Sequence, residues 1–445
     1  MLLSRRQFVQ TGAALAAGAS RALAADTRVI GYAQDGKTAI EAAIPPNYKG
    51  IGGRLVIDGA PNATAVVIRA ANPLQSPIQF PPTGAPYREH AEAWVLWRWA
   101  QFHAPDTITA PAAYDGLSGA RIPDLRERVA RTPRQVADQL AKVYGHDFNQ
   151  LTYLPGMALI GQIRLGNSEE VAKLAAPYLD GRDLLARASS LTLAGHLVFA
   201  ELARRTNDVR YTALVKKVAD LGFTDSGEMK EAMPFHTEMS DSYFMAGPIT
   251  ALAGSLTGEP KYFDMVAKHF RFLDKLVLRP DGLFRHSPLT DAAWGRGNAF
   301  PALGMALALS EIPQAYADRP YILESFQRLI RNLARHQDPD GMWHEIIDEP
   351  GSYGETSATA MIATAILRGI RKGWLPAAEF QPRVDQAWRG VLARTGSDGV
   401  LLDVCESTNK QPTREAYLYR AALTGKDERG GGMVLFFATE MLGLN

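Results

Sequence analysis

Three turn-plus-apolar units recur along the chain at nearly equal intervals. They are Pro280-Asp281-Gly282-Leu283-Phe284, Pro339-Asp340-Gly341-Met342-Trp343 and Ser397-Asp398-Gly399-Val400-Leu401, spaced 59 and 58 residues apart. Self-similarity at this period marks a repeat architecture, and each interval is long enough for two helices and their connections. The roughly 340 residues beyond Pro105 hold nearly six such intervals. This predicts an all-α domain over residues 105–445, closed as a ring of six helical hairpins, an (α/α)6 toroid. An open solenoid is the competitor, but it has no reason to stop at six and ordinarily shows distinct capping repeats.

Period-3.6 apolar patterning supports the helices themselves. The spacing predicts helices over Thr132–Tyr144, Leu151–Arg164, Ser190–Arg204, Val209–Leu221, Asp241–Leu256 and Lys261–Leu276. Further ones fall at Trp294–Leu309, Tyr321–Ala334, Thr356–Arg371 and Ala377–Ala393, with two more within Thr413–Ala422 and Gly431–Leu442. Ahead of this body, residues 27–104 carry short strand-like runs (Thr27 to Tyr32, Lys37 to Ile44, Arg54 to Asp58, Ala65 to Ile68). A Pro-rich stretch, Pro73 to Pro86, then leads into an apolar helix around Glu89 to His103. We read a small α/β lobe.

Residues 1–24 read as an address. Ser4-Arg5-Arg6-Gln7-Phe8, an Ala/Gly-rich stretch and Ala22-Leu23-Ala24 resemble a bacterial twin-arginine export signal. Cleavage there removes Arg5, Arg6 and Arg21 and no acid, leaving 45 bases against 47 acids. The expected location is therefore periplasmic or secreted. Within the lobe, Gly31-Tyr32-Ala33-Gln34-Asp35-Gly36-Lys37-Thr38 matches the phosphate-loop pattern. That pattern needs a following helix, whereas Thr38 to Ile44 alternates like a strand and Asp35-Gly36 suits a hairpin turn.

Composition narrows the partners. With 48 Lys+Arg against 47 Asp+Glu, no global positive field suggests a nucleic-acid partner. No segment past the leader approaches the roughly 18 apolar residues of a membrane span. Cys405 is the single cysteine, which excludes an internal disulfide and a thiolate-rich zinc site. The nine histidines form no His-x-x-x-His or His-Glu-x-x-His pair, so no metal is expected.

In a helical toroid, the polar and aromatic residues at hairpin junctions line a cup, and the apolar stripes are core. The first such cluster is Pro234 to Pro248, with His236, Thr237, Glu238 and Asp241; Ser240 or Asp241 also reads as a helix cap. The second is Phe284-Arg285-His286 with Ala293-Trp294-Gly295-Arg296-Gly297-Asn298-Ala299-Phe300. Its glycines permit close approach to a ligand, and its arginine offers forked donors for a carboxylate. The third runs from Trp343-His344 to Ser357.

Together these clusters resemble the unsaturated uronyl hydrolases, glycoside hydrolase families 88 and 105, whose members are (α/α)6 barrels. The resemblance rests on His236-Thr237…Asp241…Phe244-Met245, on Trp294 to Asn298, and on Glu355 to Met361. Weaker echoes are Tyr153-Leu154-Pro155-Gly156 and Lys426-Asp427-Glu428-Arg429-Gly430-Gly431-Gly432. It covers residues 125–445 and leaves the N-terminal lobe unassigned.

The resemblance implies an enzyme that needs no cofactor and acts on oligosaccharides ending in a 4,5-unsaturated uronic acid. It implies Asp241 as a single acid, then base, with Tyr243, Phe244 and Met245 as apolar neighbours that would desolvate it. Arg296 and His286 would receive the uronate and hydroxyls, while Trp294, Phe300 and Tyr153 would stack on sugar faces. His236 would orient water, and Asn298 and His344 complete the substrate contacts. The chain departs from the family pattern at Met239 and Phe300, where tryptophan is usual, and at Ser190, where relatives carry an aspartate. A glycan-binding barrel without turnover and an inverting glycosidase pairing Asp241 with Glu238 or Glu355 are the other readings.

Overall fold

The computed structural model describes residues 26–60, 62–70, 77–79, 86–120, 122, 124–182, 185 and 188–444. The leader-like residues 1–24 lie outside them. By compactness the chain divides into two units. One holds residues up to 80 together with 91–123, and the other holds 81–90 with the rest from Asp124.

The first unit is a mixed five-stranded sheet, ordered β1 (Asp26–Tyr32), β2 (Ala39–Ile44), β4 (Ala65–Arg69), β3 (Arg54–Ile57), β5 (Thr107–Thr109). The helix α1 (Ala91–His103) and a short 3-10 segment supply the other layer. Ile40, Leu55, Ile57, Val66 and Ile68 meet Leu96 and Trp99 in its core. The phosphate-loop look-alike is a hairpin turn. Asp35 accepts from the Lys37 and Thr38 amides, each at 2.8 Å, and Gly36 has φ 67°. The sequence places the change of architecture at 104/105. The compact division falls at 123/124, because β5 extends the sheet and the segment 112–120 packs on the same core. Residues 86–90 group instead with the helical unit, where Tyr87 lies against Tyr353 at 5.4 Å and Pro86 bridges Ala421.

The second unit is helical. After α2 (Leu125–Ala130), the first hairpin pairs α3 (Pro133–Ala141) with α4 (Tyr153–Arg164). The second pairs α5 (Ser168–Leu179) with α6 (Ser190–Gly195) and α7 (Leu197–Thr206), and the third pairs α8 (Val209–Ala219) with α9 (Ser242–Met245) and α10 (Gly247–Thr257). The fourth joins α11 (Lys261–Val277) to α12 (Gly295–Glu311), and the fifth joins α13 (Arg319–Ala334) to α14 (Thr356–Arg371). The sixth begins with α15 (Ala377–Ala393). It continues through β6 (Leu401–Cys405), α16 (Arg414–Leu418) and β7 (Ala422–Gly425) to α17 (Glu428–Met441).

Second members form the inner ring: α4 packs on α7, α7 on α10, α10 on α12, α12 on α14, α14 on α17, and α17 returns to α4. Sequence character assigns the layers. Inner α14 is rich in Ala, Thr and Ser and is buried from Thr356 to Gly369. Outer α11 buries one stripe, including Tyr262, Val266, Phe270, Leu273 and Val277, as an amphipathic helix on a core does.

Four differences from the sequence reading have physical causes. α5 was not expected, because its apolar stripe is thin, with Val171, Ala175 and Tyr178 buried. The helix expected from Ser190 breaks at His196, where Gly195 runs against the Leu151–Thr152 backbone. The one expected from Asp241 breaks at Ala246, ahead of Gly247-Pro248. Ala422, expected in a helix, opens β7, which pairs antiparallel with β6. The turn repeat also has a fourth copy. Gly227, Gly282, Gly341 and Gly399 have φ of 83°, 84°, 86° and 82°, the left-handed conformation that glycine adopts without strain. Thr224-Asp225-Ser226-Gly227 lacks the Asp-Gly pair and so escaped notice.

The ring closes where α17 meets α4 and α14. Glu440, fully buried, pairs with Arg368 at 2.6 Å and Arg164 at 3.3 Å, while Arg371 donates to the Glu440 and Met441 carbonyls. Removing one member of such a cluster leaves buried charge unpaired. Glu440→Gln is expected to lower unfolding free energy by about 3 kcal/mol, measured by denaturant titration; an unchanged midpoint would show that the cluster does not secure the closure.

Candidate active site

All six inner elements point their N-terminal ends at the same side of the ring, and the sequence motifs fall there. Tyr153 opens α4, Ser190 opens α6, Asp241 precedes α9, Trp294 precedes α12, Glu355 caps α14 and Asp427 caps α17.

Asp241 and His286 meet. His286 Nε2 lies 3.3 Å from Asp241 Oδ1, with His286 fully buried and the aspartate side chain 15% exposed. Ser240 N–H donates to His286 O at 3.0 Å and ties the two segments together. The approach to Asp241 is strained: Phe235, Thr237 and Glu238 have φ of 62°, 48° and 58°, a region that non-glycine residues rarely occupy. Tyr153 and Tyr417 lie within electrostatic reach of Asp241, and burial pushes each phenol up to about 12. Of the apolar neighbours expected to desolvate Asp241, Tyr243 turns to Asp274 at 2.5 Å, and Phe244 packs on Tyr153 and Phe300.

Several residues expected to touch sugar are occupied by the protein. Arg296 is 3% exposed. Its guanidinium donates to Cys405 O at 2.7 Å, Glu406 O at 3.0 Å and Ser357 Oγ at 3.3 Å, and lies 3.7 Å from Glu355. Asn298 exchanges hydrogen bonds with the Phe284 backbone on both sides, at 2.8 Å each, and so fixes the segment that leads to His286. Phe300 is buried edge-on against Tyr153. Trp294 is buried with its ring 4.5 Å from His286 and 4.8 Å from the Arg296 guanidinium. His344 binds Ser352 O at 2.5 Å and Asp338 at 3.2 Å within its own loop. His236 accepts from Glu238 N–H at 3.0 Å and stands against Phe272 at 4.8 Å; burial lowers its pKa. Ser190 is the first residue of α6, whose cap is the reciprocal Ser189–Thr192 pair.

Three groups near the centre were not singled out from sequence. Tyr417, hidden within an expected helix, donates to or accepts from His286 Nδ1 at 2.8 Å. Glu345 alternates inward after Trp343 in a strand-like run; its Oε1 accepts from Trp294 Nε1 at 3.0 Å and from the Cys405 thiol at 3.1 Å. Arg429, one fifth exposed, pairs with Asp427 at 2.6 Å beside Tyr153.

Burial, reinforced by Glu355, pushes the Glu345 carboxyl up to about 8. The folded protein therefore keeps a proton that the unfolded chain releases above its ordinary value of 4.5, so stability falls as pH rises between the two. Wild type is expected to lose about 1.4 kcal/mol per pH unit more than Glu345→Gln across this window, read from unfolding midpoints between about pH 5 and 8. Parallel curves would show that Glu345 is ionised in the folded state.

Comparison with known proteins places the chain. The family model for glycosyl hydrolase family 88 matches residues 180–445. An unsaturated rhamnogalacturonyl hydrolase, YesR of Bacillus subtilis, is 32% identical over 186 residues, 40% of this chain and 52% of that protein. An unsaturated 3S-rhamnoglycuronyl hydrolase of Formosa agariphila is 26% identical over 177 residues, 36% of this chain and 47% of that one. The chain thus spans about half the length of the curated relatives it matches. Among solved structures, a possible member of the GH105 family from Klebsiella pneumoniae aligns with TM-score 0.60 at 22% identity, covering 73% of this chain and 96% of that one. A glycosyl hydrolase family 88 protein from Bacteroides vulgatus aligns with TM-score 0.59 at 17% identity, covering 72% and 99%. These share the six-hairpin ring, and the match over more than half its length makes this chain a member of glycosyl hydrolase family 88.

Proposed function

We propose that the protein hydrates the C4=C5 double bond of a 4,5-unsaturated uronic acid at the non-reducing end of an oligosaccharide. The observation that carries this reading is a partly exposed carboxyl, Asp241, set against a buried histidine at the N-terminal mouth of the ring, where the other partly exposed carboxyl, Asp427, is paired with Arg429 at 2.6 Å. The C4=C5 bond is an enol ether, since C5 bears the ring oxygen. Asp241 gives its proton to C4, and positive charge develops at C5 and the ring oxygen. Water then adds at C5 and returns a proton to the Asp241 carboxylate; the resulting hemiketal opens and releases the sugar. One group that serves as acid and then as base suffices.

An inverting displacement needs a second carboxyl with an open face. Glu355 does not offer one: it is fully buried and accepts from Ser357 Oγ at 2.8 Å, from Cys405 N–H at 2.9 Å and from the Ala358 amide. Glu238 is exposed and pairs with Lys410 at 3.1 Å. The uronate charge is favoured by the inner-helix N-termini, whose partial positive charge attracts anions. The relatives named as unsaturated uronide hydrolases support this substrate class, and the twin-arginine pattern supports export ahead of encounter with such fragments.

Asp241→Asn is expected to lose at least roughly a hundred-fold in kcat on a lyase-generated unsaturated disaccharide, followed by loss of the ultraviolet absorbance of the conjugated uronate. Undiminished turnover by this variant would remove Asp241 from the chemistry, and wild type inert on pectin-, ulvan- and glycosaminoglycan-derived fragments would remove the reaction.

A further inference from the structure

Behind Asp241, Gln411, Tyr417 and His286 are joined by hydrogen bonds, and His286 in turn faces the carboxyl. The Gln411 backbone N–H, which can only donate, reaches Tyr417 Oη at 3.2 Å. Tyr417 Oη lies 2.8 Å from His286 Nδ1, and His286 Nε2 lies 3.3 Å from Asp241 Oδ1. Both ring residues are fully buried.

A neutral imidazole carries one N–H. If that proton were on Nδ1, Nε2 would compete as an acceptor for the acid proton of Asp241, and Tyr417 Oη would accept from both Gln411 and Nδ1, leaving its own proton without an acceptor among the described residues. With the proton on Nε2, Gln411 donates to Tyr417, Tyr417 donates to Nδ1, and Nε2–H faces Oδ1, these last two being buried atoms that have no hydrogen-bond partner among the described residues.

We propose that Tyr417, held by the Gln411 amide, is a positioning residue that fixes His286 as its Nε2–H tautomer towards Asp241. The inference rests on the hydration reading above for its catalytic consequence, though not for the tautomer itself. Oδ1 is the buried oxygen of Asp241. With Nε2–H directed at it, the acid proton resides on Oδ2, which is where C4 must approach. After protonation of C4, the same N–H supports the carboxylate while Oδ2 takes the proton from water. The 3.3 Å separation is longer than an aligned hydrogen bond, as catalytic contacts often are before substrate closes the site.

The groups facing this chain come from every neighbouring element. Tyr153 of α4 and Tyr417 of α16 face Asp241, Glu345 stands behind Trp294, and Arg420 lies near Tyr417. Arg296, Asp427 and Arg429 surround Tyr153. None of them touches Nδ1 of His286 except Tyr417, so that hydroxyl alone sets the tautomer among the described residues.

Tyr417→Phe removes the donor at Nδ1. His286 is then free to carry its proton on Nδ1 instead, which removes the N–H that faces Oδ1 and with it the preference of the acid proton for Oδ2. We expect kcat to fall roughly ten-fold or more, with KM little changed, and the pH–rate profile to shift. Nitrogen-15 NMR of wild type, with the His286 signals assigned by their loss in His286→Gln, should show an unprotonated Nδ1 and a protonated Nε2. A protonated Nδ1 in wild type overturns the proposal whether or not Tyr417→Phe folds. An unmoved pH profile in an active, folded Tyr417→Phe overturns it too. Absence of any turnover by wild type would instead count against the hydration reading, with the NMR result still deciding the tautomer.

Discussion

Closure of the inner ring on a buried carboxylate organises everything else in the helical unit. A six-hairpin ring is a linear repeat until its last inner helix returns to its first, and here that junction is α17 against α4 and α14. The C-terminal ends of these helices present unsatisfied carbonyls. Arg164, Arg368 and Arg371 stand at those ends, and Glu440 balances them. Because consecutive inner helices run the same way, fixing one end of the ring with cations leaves the opposite end with the amide termini, where the junction residues gather.

That arrangement separates two kinds of polar residue that look alike in sequence. Arg296, Asn298 and Glu355 lie in motifs that read as substrate contacts, yet their hydrogen bonds go to β6, to the Phe284 backbone and to the start of α14. They are the frame that holds Trp294 and His286 in place. Glu345 is the most extreme of these framing groups, a buried acid that keeps its proton and accepts from Trp294 and Cys405. Asp241 keeps an open side without a cationic side chain paired to it, and its close neighbour His286 is anchored from behind rather than from the cup.

The ring was legible because its signal is long: turn units at fixed spacing and amphipathic periods that average over many residues. Thr356–Arg371 and Ala377–Ala393 match the sequence expectation at both ends, the first opened by the Glu355 cap and the second by Pro376. The elements not legible are those where a local signal is weak or overridden: α5 with its thin apolar stripe, the breaks at His196 and Ala246, and the β6–β7 hairpin. The site was legible as motifs but not as roles. Spacing brings Trp294 to Asn298 near Asp241; only the path of β6 determines that the Arg296 donors are already used. Tyr417 carries no motif at all, because its importance depends on a contact with His286 across 131 residues of chain.

The turn that delivers Asp241 holds three non-glycine residues in left-handed conformations within four positions. Such conformations cost on the order of 1 kcal/mol or more each, so the acid is presented by the least relaxed part of an otherwise regular ring. Stability and activity are thereby set against each other at one short segment. Glycine at Phe235, Thr237 or Glu238 would relieve backbone strain locally while widening the range of positions open to Asp241. The tolerance of this fold to thermostabilising change is therefore uneven: generous along the outer helices, and narrow across the few residues that hold the acid in place.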